Sequence, residues 1–259
     1  MVKEIRKWES KVLLLEAGDA FGPEMPIERK KARLMVQAMA QMGYDAYNLG
    51  VRELSYGQDF IKDQTGKWRL PLLCANLVKA KDGKPFATPY IVKDLGGVKV
   101  AVLGLMSSLF NAHKYKPEDQ DLLLEDCGEV AKRIVPQIRK EADFIIVLGH
   151  ITMEEATELA EKVPGITAII IAWAMGVIDP PTQVRDTLIL SAGTKGSHLG
   201  EFFLHLDQKG AMVSYHSRLT PLDRKISEDP EMRQLIESYG LTPPVEESPA
   251  PPTGELPKI

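Results

Sequence analysis

Two side chains in this sequence stand where an acid and an imidazole can act on a ligand. Asp19 follows the apolar run Val12 to Leu15, with Gly18 between them to let the backbone turn. A short continuous apolar run reads as a strand buried on both faces. In open α/β sheets the carboxyl end of such a strand is where ligands bind, so Asp19 reads as a metal ligand. The alternative is a cap or turn residue bonded to backbone amides. His150 ends a second apolar run, FIIVLGH. At the end of an apolar strand it reads first as a core histidine whose ring is satisfied internally, with ligand binding as the lesser alternative. Ser107-Ser108 and the Gly193 to Gly196 turn can cradle phosphate, but neither carries a P-loop pattern. His113, His198, His205 and His216 show no paired ligand spacing. Cys74, in an apolar run, and Cys127, at a helix start, lack CxxC spacing and read as packing residues, with a disulfide as the minor alternative.

The elements that would carry these residues alternate. Pro26 to Met42 places Met35, Ala38, Met39 and Met42 at helical spacing, Gly43 ends the pattern, and Tyr44 to Leu49 returns as a strand closed by Gly50. Next come LPLLCANL and two apolar arms joined by Gly96-Gly97, a hairpin signal. A helical stripe through Val130, Ala131, Ile134, Val135 and Ile138 contains Pro136, where a kink is expected. FIIVLGH, a helix over Glu154 to Lys162, a strand ITAIIIA ending before Trp173, and a strand over Thr187 to Gly193 follow. Phe202 to Leu206 and Val213 with Tyr215 form a hairpin about Gly210, and Pro230 to Tyr239 a last helix. The class is α/β, with residues 1–240 as one domain and 241–259 as a Pro-rich, acidic tail or linker.

Composition narrows the partners. The chain has 259 residues, 44% hydrophobic and 26% charged, with a formal net charge of −4. No Lys/Arg block is long enough to track a phosphate backbone, which argues against nucleic acid. No apolar run approaches the roughly 20 residues of a membrane helix. The opening MVKEIRKWES lacks the apolar core of a signal peptide, so a cytoplasmic location is expected if Met1 is the true start.

In order along the chain, VLLLEAGDAFG, MAQMGYDAYNLGVRELSYG, LLCANL, PYIVKDLGGVKVAVLGL, EADFIIVLGH and SAGTKGSHLGEFFLHLD resemble the metallophosphatase domain of the 5′-nucleotidase family, within the calcineurin-like phosphoesterases. PLDRKISEDPEMRQLIESYG is similar to the stretch that joins this domain to the family's nucleotide-binding C-terminal domain. The resemblance covers nearly all of residues 1–240 and implies an α/β sandwich of two mixed sheets flanked by helices. It also implies a pair of divalent metals, held by Asp, Asn and His, that polarise a phosphate and supply hydroxide. Family relatives are mostly periplasmic or surface enzymes.

Checked against the family's motifs, the ligand set is degenerate. Asp19 matches the bridging aspartate and His150 a histidine ligand. The family's GNHE reads Gly50-Val51-Arg52-Glu53, so Val51 stands for a metal-binding Asn and Arg52 for the catalytic His, while Ser55 stands for that histidine's aspartate partner. The motif GGHSH reads Ile171-Ala172-Trp173-Ala174-Met175, replacing two histidine ligands by Trp173 and Met175. Indole offers no lone pair, and a thioether is a poor ligand for hard cations. The Asp-x-His strand that opens the family domain has no counterpart in the given sequence; either more sequence lies upstream, or a gap or exposed sheet edge able to pair with another chain is expected.

The resemblance therefore implies a pseudo-phosphatase with no resident cofactor, acting as a binding or scaffold module. Its partner would be a protein or a second copy, engaged through the sheet edge or the Pro-rich tail. The alternative is a phosphomonoester or 5′-nucleotide hydrolase using Mn, Zn, Fe or Mg on Asp19, His150 and further donors such as Glu53 or Asn76. Arg52 is expected either to bind an anion or to pair with Asp19 or Glu53. Trp173 and Met175 are expected to plug the vacated cavity, or, if exposed, to mark a partner surface.

Overall fold

The computed structural model describes residues 1–109 and 121–241. His113 and the tail from residue 242 onward lie outside the described residues. The chain divides into two units, Met1–Ser227 and Glu228–Ile259.

Helix α1 (Val2–Trp8) comes first, followed by strand β1 (Leu15–Glu16), helix α2 (Pro26–Met42) and strand β2 (Ala46–Asn48). Pro26 suits the first turn of α2, where its missing N–H has no partner to lose. Gly43 closes the helix at φ 74°. Arg6 of α1 adds a second closure, donating to the carbonyls of Met42 and Gly43 at 2.6 and 2.8 Å. Helix α2 buries Ala32, Val36 and Met39. Of the expected apolar face only Met39 is buried, because small Ala32 and branched Val36 let the helix lie closer than a row of methionines would.

The run Val12 to Leu15 is shorter as a strand than expected and only half-buried apart from Leu14. It is the edge of a parallel three-stranded sheet, ordered β1-β2-β3, with β3 at Leu72–Leu73. Two helices that sequence periodicity did not show, α3 (Val51–Leu54) and α4 (Gln58–Trp68), fill the connection from β2 to β3. The buried stripe of α4 includes Gln64 and Thr65 beside Phe60 and Ile61, so its face does not read as apolar.

Strands β4 (Leu77–Lys79), β5 (Tyr90–Asp94), β6 (Lys99–Met106) and β7 (Leu122–Leu124) lead to helix α5 (Cys127–Ile138) and strand β8 (Phe144–His150). Helix α6 (Met153–Lys162) and strands β9 (Ala168–Ile171), β10 (Val177–Val184) and β11 (Thr187–Ala192) complete the second sheet. Its order is β10-β11-β9-β8-β6-β5. The hairpin at Gly96-Gly97 forms with Asp94 opposite Lys99, both glycines taking the positive φ that such a turn needs. Strands β6, β8, β9 and β11 run parallel and are the apolar runs of the sequence. Strand β10, VIDPPTQV, is a largely exposed edge with two prolines, which is why no strand pattern marks it. Helices α5 and α6 cover one face through Val130, Ala131, Val135, Ile138 and Leu159. Pro136 falls in the last turn of α5. Thr152 and Glu155 cap α6 reciprocally.

The other face meets the three-stranded sheet through Ala46, Leu73, Val102, Phe144 and Leu148. Contact is closest at Gly104, where a Cβ would stand 2.7 Å from Leu73 Cβ and 2.5 Å from Asn48 Oδ1. Two sheets packed on one another with helices outside make the expected α/β sandwich. Strands β12 (His198–Leu206) and β13 (Met212–Pro221) form the hairpin about Gly210, and Phe202 and Tyr215 pack on Ala168, Leu188 and Leu190. Cys74 and Cys127 are free and buried, as packing residues. In the second unit, Asp229 caps α7 (Pro230–Ser238) by accepting from the amides of Glu231 and Met232. Among the described residues no helix is long and apolar enough to cross a membrane.

Candidate functional site

Asp19 is held in the left-handed region, at φ 63°, directly after Gly18 at φ 109°. A non-glycine residue keeps such a conformation only where its surroundings fix it. Glu53 of α3 supplies the fixing. Its fully buried carboxylate accepts from the amides of Asp19 at 3.1 Å, Gly50 at 2.8 Å and Phe21 at 3.1 Å. Gly50 must lack a side chain, since a Cβ would lie 2.5 Å from the Asp19 nitrogen. Burial and the charge of Asp19 push the Glu53 carboxyl above its usual range, against the hydrogen bonds it accepts from backbone amides.

The Asp19 carboxylate accepts from the Arg52 amide at 2.8 Å. The same oxygen lies 3.4 Å from Nε2 of His150, at the buried end of β8. Burial pushes the Asp19 carboxyl up, but the His150 hydrogen bond and charge, with the Arg52 amide, outweigh it and hold the group below its ordinary value. The fold thus brings the two sequence-marked ligands together across the sheets. The expected ion pair with the Arg52 guanidinium does not form. Position 52 is early in a four-residue helix, where the amide points back at the β1 loop and the side chain is exposed. Among the described residues that guanidinium pairs with neither Asp19 nor Glu53.

No family model matches the chain. It is 27% identical over 278 residues to the trifunctional nucleotide phosphoesterase protein YfkN of Bacillus subtilis, covering 92% of this chain and 19% of that protein. It is 26% identical over 267 residues to the 5′-nucleotidase of Homo sapiens, covering 93% of this chain and 46% of the other. The chain thus spans less than half the length of these curated relatives. Among solved structures, the sulfate thiohydrolase SoxB of Thermus thermophilus superposes with a TM-score of 0.80 at 21% identity, over 92% of this chain and 45% of that one. The calcineurin-like phosphoesterase YfkN from Bacillus subtilis superposes with a TM-score of 0.77 at 22% identity, over 92% of this chain and 86% of that one. The curated relatives include 5′-nucleotidases and a nucleotide phosphoesterase, and the fold is that of the calcineurin-like phosphoesterases.

Each metal of a binuclear centre needs roughly four to six donors. Asp19 and His150 are two. Val51 is half-buried and packs against the apolar cluster that includes Leu49, Leu54 and Ile61. Trp173 is 51% exposed and Met175 is fully exposed, so they do not plug a cavity. Ala172 and Ala174 pack inward on either side of Trp173, and the alternation turns Trp173 and Met175 out. Ser55 Oγ donates to the Arg52 carbonyl at 2.7 Å, closing its own turn. The further donors considered for a metal are both committed elsewhere. Glu53 holds its three amides. Asn76 donates to the carbonyls of Met106 and Glu125 and accepts from the Met106 amide. Ser107 donates to Glu155 at 2.7 Å, so it too is occupied. Among the described residues no three His, Cys, Asp or Glu side chains converge as a metal set. The donors present do not fit a binuclear centre.

One acid near the site was not singled out by its sequence position. Burial pushes the Glu16 carboxyl from 4.5 up to about 7, with the charge of Glu53 adding to the rise. The folded chain therefore holds a proton on Glu16 that the unfolded chain has released. Stability from this group is complete below the unfolded value and is lost as pH rises through the folded one. Thermal melts should fall between pH 5 and pH 8. Glu16→Gln should remove that fall and exceed the wild type at pH 8 by about 1–3 kcal/mol. A parallel fall in the variant would show that Glu16 is not the group responsible.

Proposed function

We propose that this chain is a non-catalytic phosphoesterase-fold protein, a binding or scaffold module that carries no resident metal. One observation supports this above all. At the sheet edge that carries Asp19 and His150, Asp19 takes a backbone amide and an imidazole, while the other family donor positions hold a half-buried valine and two outward-facing apolar side chains. What this edge offers a ligand is the exposed guanidinium of Arg52, whose fork matches phosphate or carboxylate oxygens. Trp173 and Met175 supply apolar surface that a protein partner can cover.

Elemental analysis after incubation with Mn²⁺, Zn²⁺ or Fe²⁺, paired with turnover of a generic phosphate ester and a 5′-nucleotide, tests the reading. Sub-stoichiometric metal at this edge and background turnover are expected. Two equivalents of metal with turnover would overturn it. The 3.4 Å approach of His150 to Asp19 favours a second reading, in which the pair keeps a reduced, hydrolytic metal site. Under that reading Asp19→Asn abolishes whatever turnover the wild type shows, and unchanged turnover rejects it.

A further inference from the structure

Away from the Asp19 edge, two histidines of the β12–β13 hairpin meet across the ribbon. His205 stands opposite Ser214 and His216 opposite Phe203, so the two are diagonal neighbours on one face, within reach of long side chains. Nε2 of His205 lies 2.8 Å from Nδ1 of His216. The ring centroids are 5.0 Å apart and the planes differ by 20°. A centroid distance that much longer than the nitrogen distance means the rings lie edge to edge, nearly coplanar, with the facing nitrogens aimed into one gap. For one ring to donate and the other to accept, the accepting ring must be neutral, the form in which imidazole ligates metals.

The surroundings keep this gap open. Both histidines are exposed. The His216 ring is stacked on Phe203 at 4.2 Å and 9°, which fixes its direction. Along the same face Glu201 is closed in a two-bond pair with Arg218, at 2.7 and 2.6 Å, so that carboxylate is already engaged.

The geometry points to a bidentate surface site for a borderline divalent transition metal, Ni²⁺, Cu²⁺ or Zn²⁺, formed by His205 Nε2 and His216 Nδ1 with water in the remaining positions. Metal–nitrogen bonds of about 2.0–2.1 Å at a tetrahedral angle set the nitrogens roughly 3.3 Å apart. That asks half an ångström of separation and an in-plane turn of roughly 35° from each of two exposed side chains, a turn that keeps the His216 ring stacked on Phe203. The donor ring moves its proton to its other nitrogen, so both facing nitrogens present lone pairs and no proton is lost overall. Two imidazoles favour these ions over Mg²⁺ or Ca²⁺, which prefer oxygen.

Equilibrium dialysis of the full chain against Ni²⁺ and Zn²⁺ at neutral pH tests the site. One exchangeable equivalent is expected, weakened about tenfold or more in His205→Ala and in His216→Ala. It should be unchanged in His198→Ala and insensitive to excess Mg²⁺. Metal-free melting temperatures of the hairpin variants should match the wild type, because both side chains are exposed. Absence of binding in the wild type overturns the assignment, as does unchanged affinity in either hairpin variant. Binding lost in His150→Ala but kept in the hairpin variants places the metal at the Asp19 edge and overturns it equally.

Discussion

Glu53→Ala should lower the free energy of unfolding by about 3–5 kcal/mol, among the largest losses available at the Asp19 edge. Two effects oppose each other. Removing a fully buried carboxylate relieves a desolvation penalty, whose presence shows in the raised pKa of the group. It also strands the amides of Asp19, Gly50 and Phe21, each costing about 1–3 kcal/mol when left buried and unbonded. Three such amides outweigh one acid that is already partly neutralised by its hydrogen bonds. Glu53→Gln keeps one acceptor oxygen and nearly the same volume, so it should fall between the alanine variant and the wild type. Urea denaturation, comparing midpoints at constant slope, reads both. A loss below about 1 kcal/mol in the alanine variant would mean that water replaces the carboxylate at little cost.

Gly104→Ala should cost about 3 kcal/mol by forcing the two sheets apart. The added methyl group would meet Asn48 Oδ1 at 2.5 Å, Leu73 Cβ at 2.7 Å and the Leu73 carbonyl carbon at 2.8 Å. Two of these neighbours belong to Leu73 of β3, and Ala75, two residues further on, donates its amide to the Gly104 carbonyl at 2.8 Å, so the backbone cannot simply step aside. Gly66→Ala is the matched control. It lies within α4 with nothing near its Cβ direction, and an alanine there should stabilise by about 0.5–1 kcal/mol. Equal effects at the two positions would show that the inter-sheet contact is softer than its distances imply.

The sequence read well where burial is all-or-none. The runs FIIVLGH and VKVAVLGL sit in the middle of the large sheet and are apolar on both faces. Helix α2 was legible from Pro26 and Gly43 at its ends, yet its inward face was not, because its three methionines do not share a side: Met39 is buried, Met42 half-buried and Met35 exposed. Helix α4 and strand β10 were missed for opposite reasons, one burying polar residues and the other exposing nearly all of its own. At the site, residue identity located Asp19 and His150. For Asp19 the cap-or-turn alternative holds, with the Arg52 amide as its donor, and only the ion pair with the Arg52 guanidinium fails, because a backbone amide has no signature in side-chain chemistry. The role of Glu53 was hidden for the same reason, since its bonds all go to main chain. The His205–His216 contact depends on a hairpin register that includes an irregularity next to Leu206, and residue spacing alone does not reveal it.

The internal grip of Glu53 on the Asp19 loop separates shape from occupancy. A loop whose form depends on a bound ion is lost with the ion, and every donor is then under structural constraint. Here an acid already enclosed in the protein sets the loop, so substitutions at positions 173 and 175 fall on a surface whose scaffold is indifferent to them. Such an edge can be rewritten one residue at a time while the chain goes on folding.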